Sequence, residues 1–179
     1  MNTSSYRFIA SNKIEKITRD LFNELNLKGL LKKEIDYFLE IKPDSSIFVL
    51  SRYNREDLSI KSFISKNYPN KNIIYSTVHQ SKGLEADFVI LLNVKSGIYS
   101  FPSEIEDDPL LKLVNDEPTN EGIKDPEERR LFYVALTRAK LKVHIIADEF
   151  DKSSFIEELS GYENVKVIKD KDINIFYCN

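Results

Sequence analysis

The sequence contains a single cysteine, Cys178, in 179 residues. One thiol excludes an internal disulfide and cannot by itself build a zinc site; a reducing, cytoplasmic location is the expectation. Glycine is scarce, five in all. No Gly-x-x-x-x-Gly-Lys-[Ser/Thr] is among them, so the backbone loop that cradles nucleotide phosphates is missing from the chain. No apolar run approaches ~18 residues, which leaves no candidate for a transmembrane helix. The opening MNTSSYRFIA lacks the basic region and apolar core of a signal peptide. Charge of neither sign dominates. With 26 Lys and Arg against 29 Asp and Glu, the net charge is −3, which argues against a broad basic surface for nucleic acid but not against a local basic groove.

What is present is the composition of an ordinary globular domain, 41% hydrophobic and 31% charged. A chain of this length buries ~70% of its unfolded surface. Helical spacing of apolar residues predicts helices over 12–22 (Ile14, Ile17, Leu21, Phe22), 30–39 (Leu31, Ile35, Phe38, Leu39) and 56–66 (Leu58, Ile60, Phe63, Ile64). The last of these stops before Tyr68-Pro69. Pro126 suits the first helical position of a helix over 126–139, with Asp125 as its cap and Glu128 closing a capping box. A short helix is expected over 153–159. Continuous apolar runs predict strands at 46–50, 72–77, 87–94 and 141–147, and two late ones at 165–168 and 173–177. Fully apolar strands alternating with helices imply an α/β fold, a mainly parallel sheet flanked by helices. Residues 95–125 break the pattern. They are acidic, poorly periodic and carry Pro102, Pro109 and Pro118, a long connection of the kind that is usually functional when it is not simply a solvated loop.

The stretch YSTVHQSKGLEADFVILLNV, residues 75–94, poses the sharpest question. Between two apolar strands lies a polar knot, Thr77 to Glu85, rich in hydrogen-bond donors and holding Gly83. Ligands of open parallel sheets bind beyond the carboxyl ends of the strands, and the knot is expected on that rim. A second donor, Arg138, follows the 126–139 helix. On composition alone the segment reads as a contact loop for phosphate or nucleic acid, against the bland reading of surface polar residues.

The residues also carry a resemblance. Thr77-Val78-His79-Gln80-Ser81-Lys82-Gly83-Leu84-Glu85 resembles motif V of the superfamily 1 DNA helicases of the UvrD/Rep type. Glu127-Glu128-Arg129-Arg130-Leu131-Phe132-Tyr133-Val134-Ala135-Leu136-Thr137-Arg138-Ala139 resembles their motif VI. Ser5-Tyr6-Arg7-Phe8 and Val49-Leu50-Ser51-Arg52-Tyr53-Asn54 are similar, more weakly, to motifs IV and IVa. The similarity covers residues 5 to about 160, and Tyr6-Arg7-Phe8 with Phe101-Pro102 gives it the form seen in the helicase IV branch. It implies a RecA-like fold of the P-loop NTPase type. Because the phosphate loop is missing, it implies the second of the two motor domains, with the first, P-loop-bearing domain absent from this chain. The large helical insertion that the family places between motifs IVa and V is also absent here.

By this resemblance Arg7 and Arg138 are arginine fingers, and Gly83 and Glu85 contact the nucleotide, Glu85 towards the ribose. Arg52, Thr77 and His79 face single-stranded DNA. The implied substrate is ATP with Mg2+, whose ligands would come from the first RecA-like domain of the same protein. Single-stranded DNA and that domain are the implied partners. The chain by itself is expected to be a monomer without ATPase activity or bound metal. The alternative is a nucleotide-sensing module that binds a protein partner such as RNA polymerase through its acidic 104–128 region. A zinc-ribbon module beyond Asn179 would give Cys178 a role; otherwise it is expected to be a free thiol at a frayed end.

Overall fold

The computed structural model describes residues 27–54, 57–95, 97, 100–103, 126–148, 153–163, 165–170 and 173–178. The expected helix at 12–22 and the motif around Arg7 lie outside them. The chain divides into two compact units, Met1–Ile41 and Lys42–Asn179.

In the first unit a helix, α1, covers 27–41. Leu31, Ile35 and Phe38 recur at four and three residues and are fully buried, which is the stripe that a 3.6-residue period requires. On the opposite side Lys32 and Asp36 pair at 2.6 Å, one turn apart.

The second unit is a six-stranded sheet. Its elements are β1 (Ile47–Ser51), α2 (Asp57–Asn67), β2 (Ile73–Thr77), β3 (Ala86–Leu91), α3 (Pro126–Leu136), β4 (Ala139–Asp148), α4 (Ser154–Leu159), β5 (Val165–Asp170) and β6 (Ile173–Cys178). The strand order is β2-β1-β3-β4-β6-β5. The first four strands are parallel, and the β5–β6 hairpin adds to β4 antiparallel. The sheet is therefore mainly parallel with flanking helices, a RecA-like arrangement in agreement with the sequence reading.

Side-chain alternation builds the core. Phe48, Val89 and Val143 are register partners in one row, and Leu50, Leu91 and Ile145 in the next. Both rows face Leu131, Phe132 and Ala135 of α3 and Phe155 and Ile156 of α4. β1 is buried at every position, as a central strand covered on both faces must be. Ser153 caps α4 by accepting from the Phe155 amide at 3.2 Å. Arg129 ties α3 to α4 by donating to both oxygens of Glu158, which holds that carboxyl below its usual pKa.

Three elements differ from expectation. The 126–139 helix ends at Leu136, because the Thr137 hydroxyl donates to the Val134 carbonyl and the Arg138 carbonyl accepts from Ala86 in the sheet. Phe101, within the stretch expected to be a solvated loop, is fully buried. Its ring stands edge-on to Phe132 at 5.3 Å and to Phe155 at 6.1 Å; residues 104–125 lie outside the described set. Cys178 is not frayed in its backbone, since it sits opposite both Val143 and Val165.

Candidate functional site

Within the polar knot, Thr77 ends β2 and residues 78–85 form the crossover from β2 to β3. Thr77 ends β2 opposite Ser51, the last residue of β1. β3 begins at the other end of the sheet, where the Phe88 and Asp87 amides donate to Ser46, just ahead of β1. Parallel partners need a connection that returns to the starting edge, and usually a whole helix does this. Here one turn suffices. The Val78 amide extends the ladder to the Ser51 carbonyl, the Ser81 and Lys82 amides close a helical turn on Thr77 and His79, and the Leu84 amide bonds back to Ser81. Gly83 ends the turn at φ +81°, a conformation that costs an L-residue about 1–2 kcal/mol. A Cβ there would meet nothing within 4 Å, so the glycine serves the backbone angle and not a close approach.

The expectation that all of 77–85 lies on the carboxyl rim is thus corrected. Thr77 and His79 are at that rim, whereas Gly83, Leu84 and Glu85 are at the amino end. The reason is topological, because β3 runs parallel to β2.

At the amino end the crossover meets the start of β4. Arg138 donates from Nε to the Val134 carbonyl at 3.1 Å, from Nη1 to the Leu84 carbonyl at 3.1 Å and from Nη2 to the Thr137 hydroxyl at 3.4 Å. Among the described residues no carboxylate lies within ion-pair distance of it. Glu85 faces Lys140 at 3.8 Å, both more than half exposed. A guanidinium held by carbonyls, beside an exposed carboxylate, suits an anionic ligand that also carries hydroxyls. No group of three His, Cys, Asp or Glu that could hold a metal is found among the described residues. The exposed donors at this end have the chemistry that a phosphate and a hydroxyl-bearing group need.

At the carboxyl rim Arg52 follows β1. Its Nε and Nη2 grip Glu128 at 2.6–3.1 Å, and both side chains are largely buried. Glu128 also accepts the Ser103 amide at 3.0 Å, while the Tyr53 and Ser103 hydroxyls meet at 2.7 Å. Arg52 Nη1 lies 3.3 Å from His79 Nδ1, and the guanidinium stacks 4.6 Å over the Tyr53 ring. Burial works against the Arg52 charge, yet the Glu128 carboxylate outweighs it and the guanidinium pKa is raised. His79 is pushed below its ordinary pKa by burial and then by the Arg52 and Lys82 charges. Thr77 is only 7% exposed, and its hydroxyl accepts the Gln80 amide at 3.3 Å.

Of the site residues named from sequence, the structure brings Gly83, Glu85 and Arg138 together at one end and Arg52, Thr77 and His79 together at the other. Arg7 lies outside the described residues. Glu128, read as half of a capping box, turns out to anchor Arg52 and Ser103. No local pattern pairs residues so far apart in sequence, so only the motif containing Glu127-Glu128 hinted at it.

Comparison with known proteins gives a consistent result. Residues 10–149 match the UvrD-like helicase C-terminal domain. DNA helicase IV of Escherichia coli K12 is 35% identical over 147 residues, 80% of this chain and 20% of that protein. The ATP-dependent DNA helicase Rep of Buchnera aphidicola is 29% identical over 126 residues, 70% of this chain and 17% of the relative. DNA helicase II of Rickettsia typhi is 32% identical over 116 residues, 59% of this chain and 16% of the relative. The chain thus spans a fifth or less of these relatives' length.

Proposed function

The chain belongs to the UvrD-like helicase C-terminal domain family, and we propose that it is the second motor domain of an ATP-dependent DNA helicase acting in the cytoplasm. The observation that carries this reading is the division of the polar residues between the two ends of the sheet. Arg138, with no carboxylate at ion-pair distance among the described residues, stands with Gly83 and Glu85 at one end, while Arg52 and His79 stand at the other. The 78–85 crossover has His79 at one end and Leu84 at the other, and α3 has Glu128 at one and Val134 at the other.

Phosphoryl transfer builds negative charge on the transferred group, and a planar guanidinium stabilises it by paired hydrogen bonds. Arg138 takes that role, with Arg7 as the second finger and Glu85 towards the ribose. Mg2+ neutralises phosphate charge when bound, and its ligands belong to the first RecA-like domain. Thr77, His79 and Arg52 face single-stranded DNA. Closure of the two motor domains on the nucleotide shifts the amino end, and the crossover passes the shift to the DNA side. The similarity to a protein named DNA helicase IV favours that branch.

The test is single-stranded-DNA-stimulated ATP hydrolysis and strand unwinding by the full-length parent. Expected is stimulated turnover that Arg138→Ala abolishes; hydrolysis indifferent to DNA would reject the motor reading and favour a nucleotide-sensing partner-binding module.

A further inference from the structure

We propose that Arg52, held in place by Glu128, locks His79 in the tautomer with its proton on Nε2, making His79 a neutral hydrogen-bond donor to single-stranded DNA. The inference rests on the reading above that this rim faces DNA, but its first half stands on geometry alone. A guanidinium has five donors and no acceptor. Its contact with His79 Nδ1 at 3.3 Å therefore requires Nδ1 to be the acceptor, which leaves the proton on Nε2. A doubly protonated ring would set N–H against N–H.

Arg52 is not free to choose another pose. Nε and Nη2 are committed to the two oxygens of Glu128, its face lies on Tyr53, and the carboxylate is itself fixed by the Ser103 amide. Nη1 is thereby aimed at His79. The order of command runs carboxylate, guanidinium, imidazole, the same logic by which an outer carboxylate sets a histidine's tautomer elsewhere. Charged groups around the ring are Arg52, Lys82, Glu127 and Glu128. Arg52 and Glu128 largely cancel, so the rim offers DNA a neutral donor. Arg52 and Glu128 are positioning residues here, and His79 makes the contact.

A neutral contact leaves a signature that a charged one does not. Each phosphate neutralised on single-stranded DNA contributes about 0.7 to the slope of log affinity against log salt. Removing a hydrogen bond without charge weakens binding about three- to tenfold at every salt concentration. His79→Ala in the full-length parent is therefore expected to bind oligodeoxythymidylate more weakly along a line parallel to the wild type. A slope reduced by about 0.7 would mean a cationic contact and would overturn the proposal.

The tautomer is read directly. With two histidines in the chain, 15N-histidine labelling gives two long-range 15N–1H patterns, and buried His144 in β4 reports whether each variant is folded. The wild type should show His79 with a wholly Nε2-protonated pattern. Arg52→Lys keeps the charge beside Glu128, but one ammonium cannot serve both the carboxylate and Nδ1. That variant and Glu128→Gln should both show an averaged mixture, with His144 unchanged. An Nδ1-protonated His79, or a wild-type pattern indistinguishable from that of Arg52→Lys, would overturn the lock. If the lock holds and His79→Ala binds DNA like the wild type, the DNA half of the proposal fails and the reading of this rim fails with it.

Discussion

Arg138 and Ala86 are bonded backbone to backbone: the Ala86 amide donates to the Arg138 carbonyl at 3.0 Å, at the point where β3 and β4 begin side by side. The main chain of the arginine is thus fastened to the first residue of β3, one position ahead of β4. Its guanidinium rests on two more carbonyls, Val134 and Leu84, which hold its aim.

Arg138→Ala in the full-length parent should therefore lower kcat by about 10³–10⁵, the range for loss of an arginine finger, with a far smaller change in nucleotide affinity. Arg138→Lys should be nearly as poor, because a point-like ammonium cannot hold both carbonyls and present a fork. Steady-state kinetics with saturating single-stranded DNA decide it; an unchanged kcat rejects the assignment.

Residues 1–179 alone should hydrolyse no ATP, with or without DNA, because the chain contains no phosphate loop. Measurable turnover by the purified chain would contradict this.

Gly83→Ala should destabilise the chain by about 1–2 kcal/mol, since φ is +81°. Gly83→Asn should cost less, because asparagine tolerates the left-handed region. The open space around the position makes side-chain collision a negligible part of the effect. Equal losses in urea denaturation would show that the backbone angle is not the cause.

Asp87 locks the chain ahead of β1. It accepts from Lys42 at 2.7 Å and from the Ser46 amide and hydroxyl at 2.8 and 3.0 Å, which lowers its pKa from 3.8 to about 2. A folded-state pKa below the unfolded value adds stability above about pH 4 that is lost as pH falls towards 2. Asp87→Asn should cost about 1–3 kcal/mol at neutral pH and flatten the loss between those limits. Thermal melts of both forms across that window test it.

Phe101→Ala should cost about 3–5 kcal/mol, as for other fully buried phenylalanines. A solvated loop would give almost none, so a single unfolding curve discriminates.

The local elements were readable because their signals are local. Pro126 followed by apolar spacing announced α3, and IFVL announced a central strand. The site was readable in part. Its residue types and their order stood out, but Arg52 and Glu128 are 76 positions apart and their pairing exists only once β1 and α3 are neighbours. The division of 77–85 between both ends was within reach. Parallel β2 and β3 already demand a crossing, yet polarity by itself suggests one rim. The β5–β6 hairpin was equally accessible, since only the four residues Lys169 to Asp172 separate two apolar runs and so short a link permits only antiparallel pairing. The burial of Phe101 had no periodic sign, since it lies in an aperiodic acidic stretch and only the Phe101-Pro102 pair of the resemblance marked it out.

The 78–85 crossover has almost no surplus length. A helical turn advances about 1.5 Å per residue and extended chain about 3.3 Å, and together these barely match the run of a five-residue strand such as β1. It works like a taut strap of fixed length. Deleting one residue would have to unwind the turn that ends at Gly83, and adding one would let the two ends of the sheet move out of step. In such a link the number of residues is as much a structural constraint as the glycine that ends the turn.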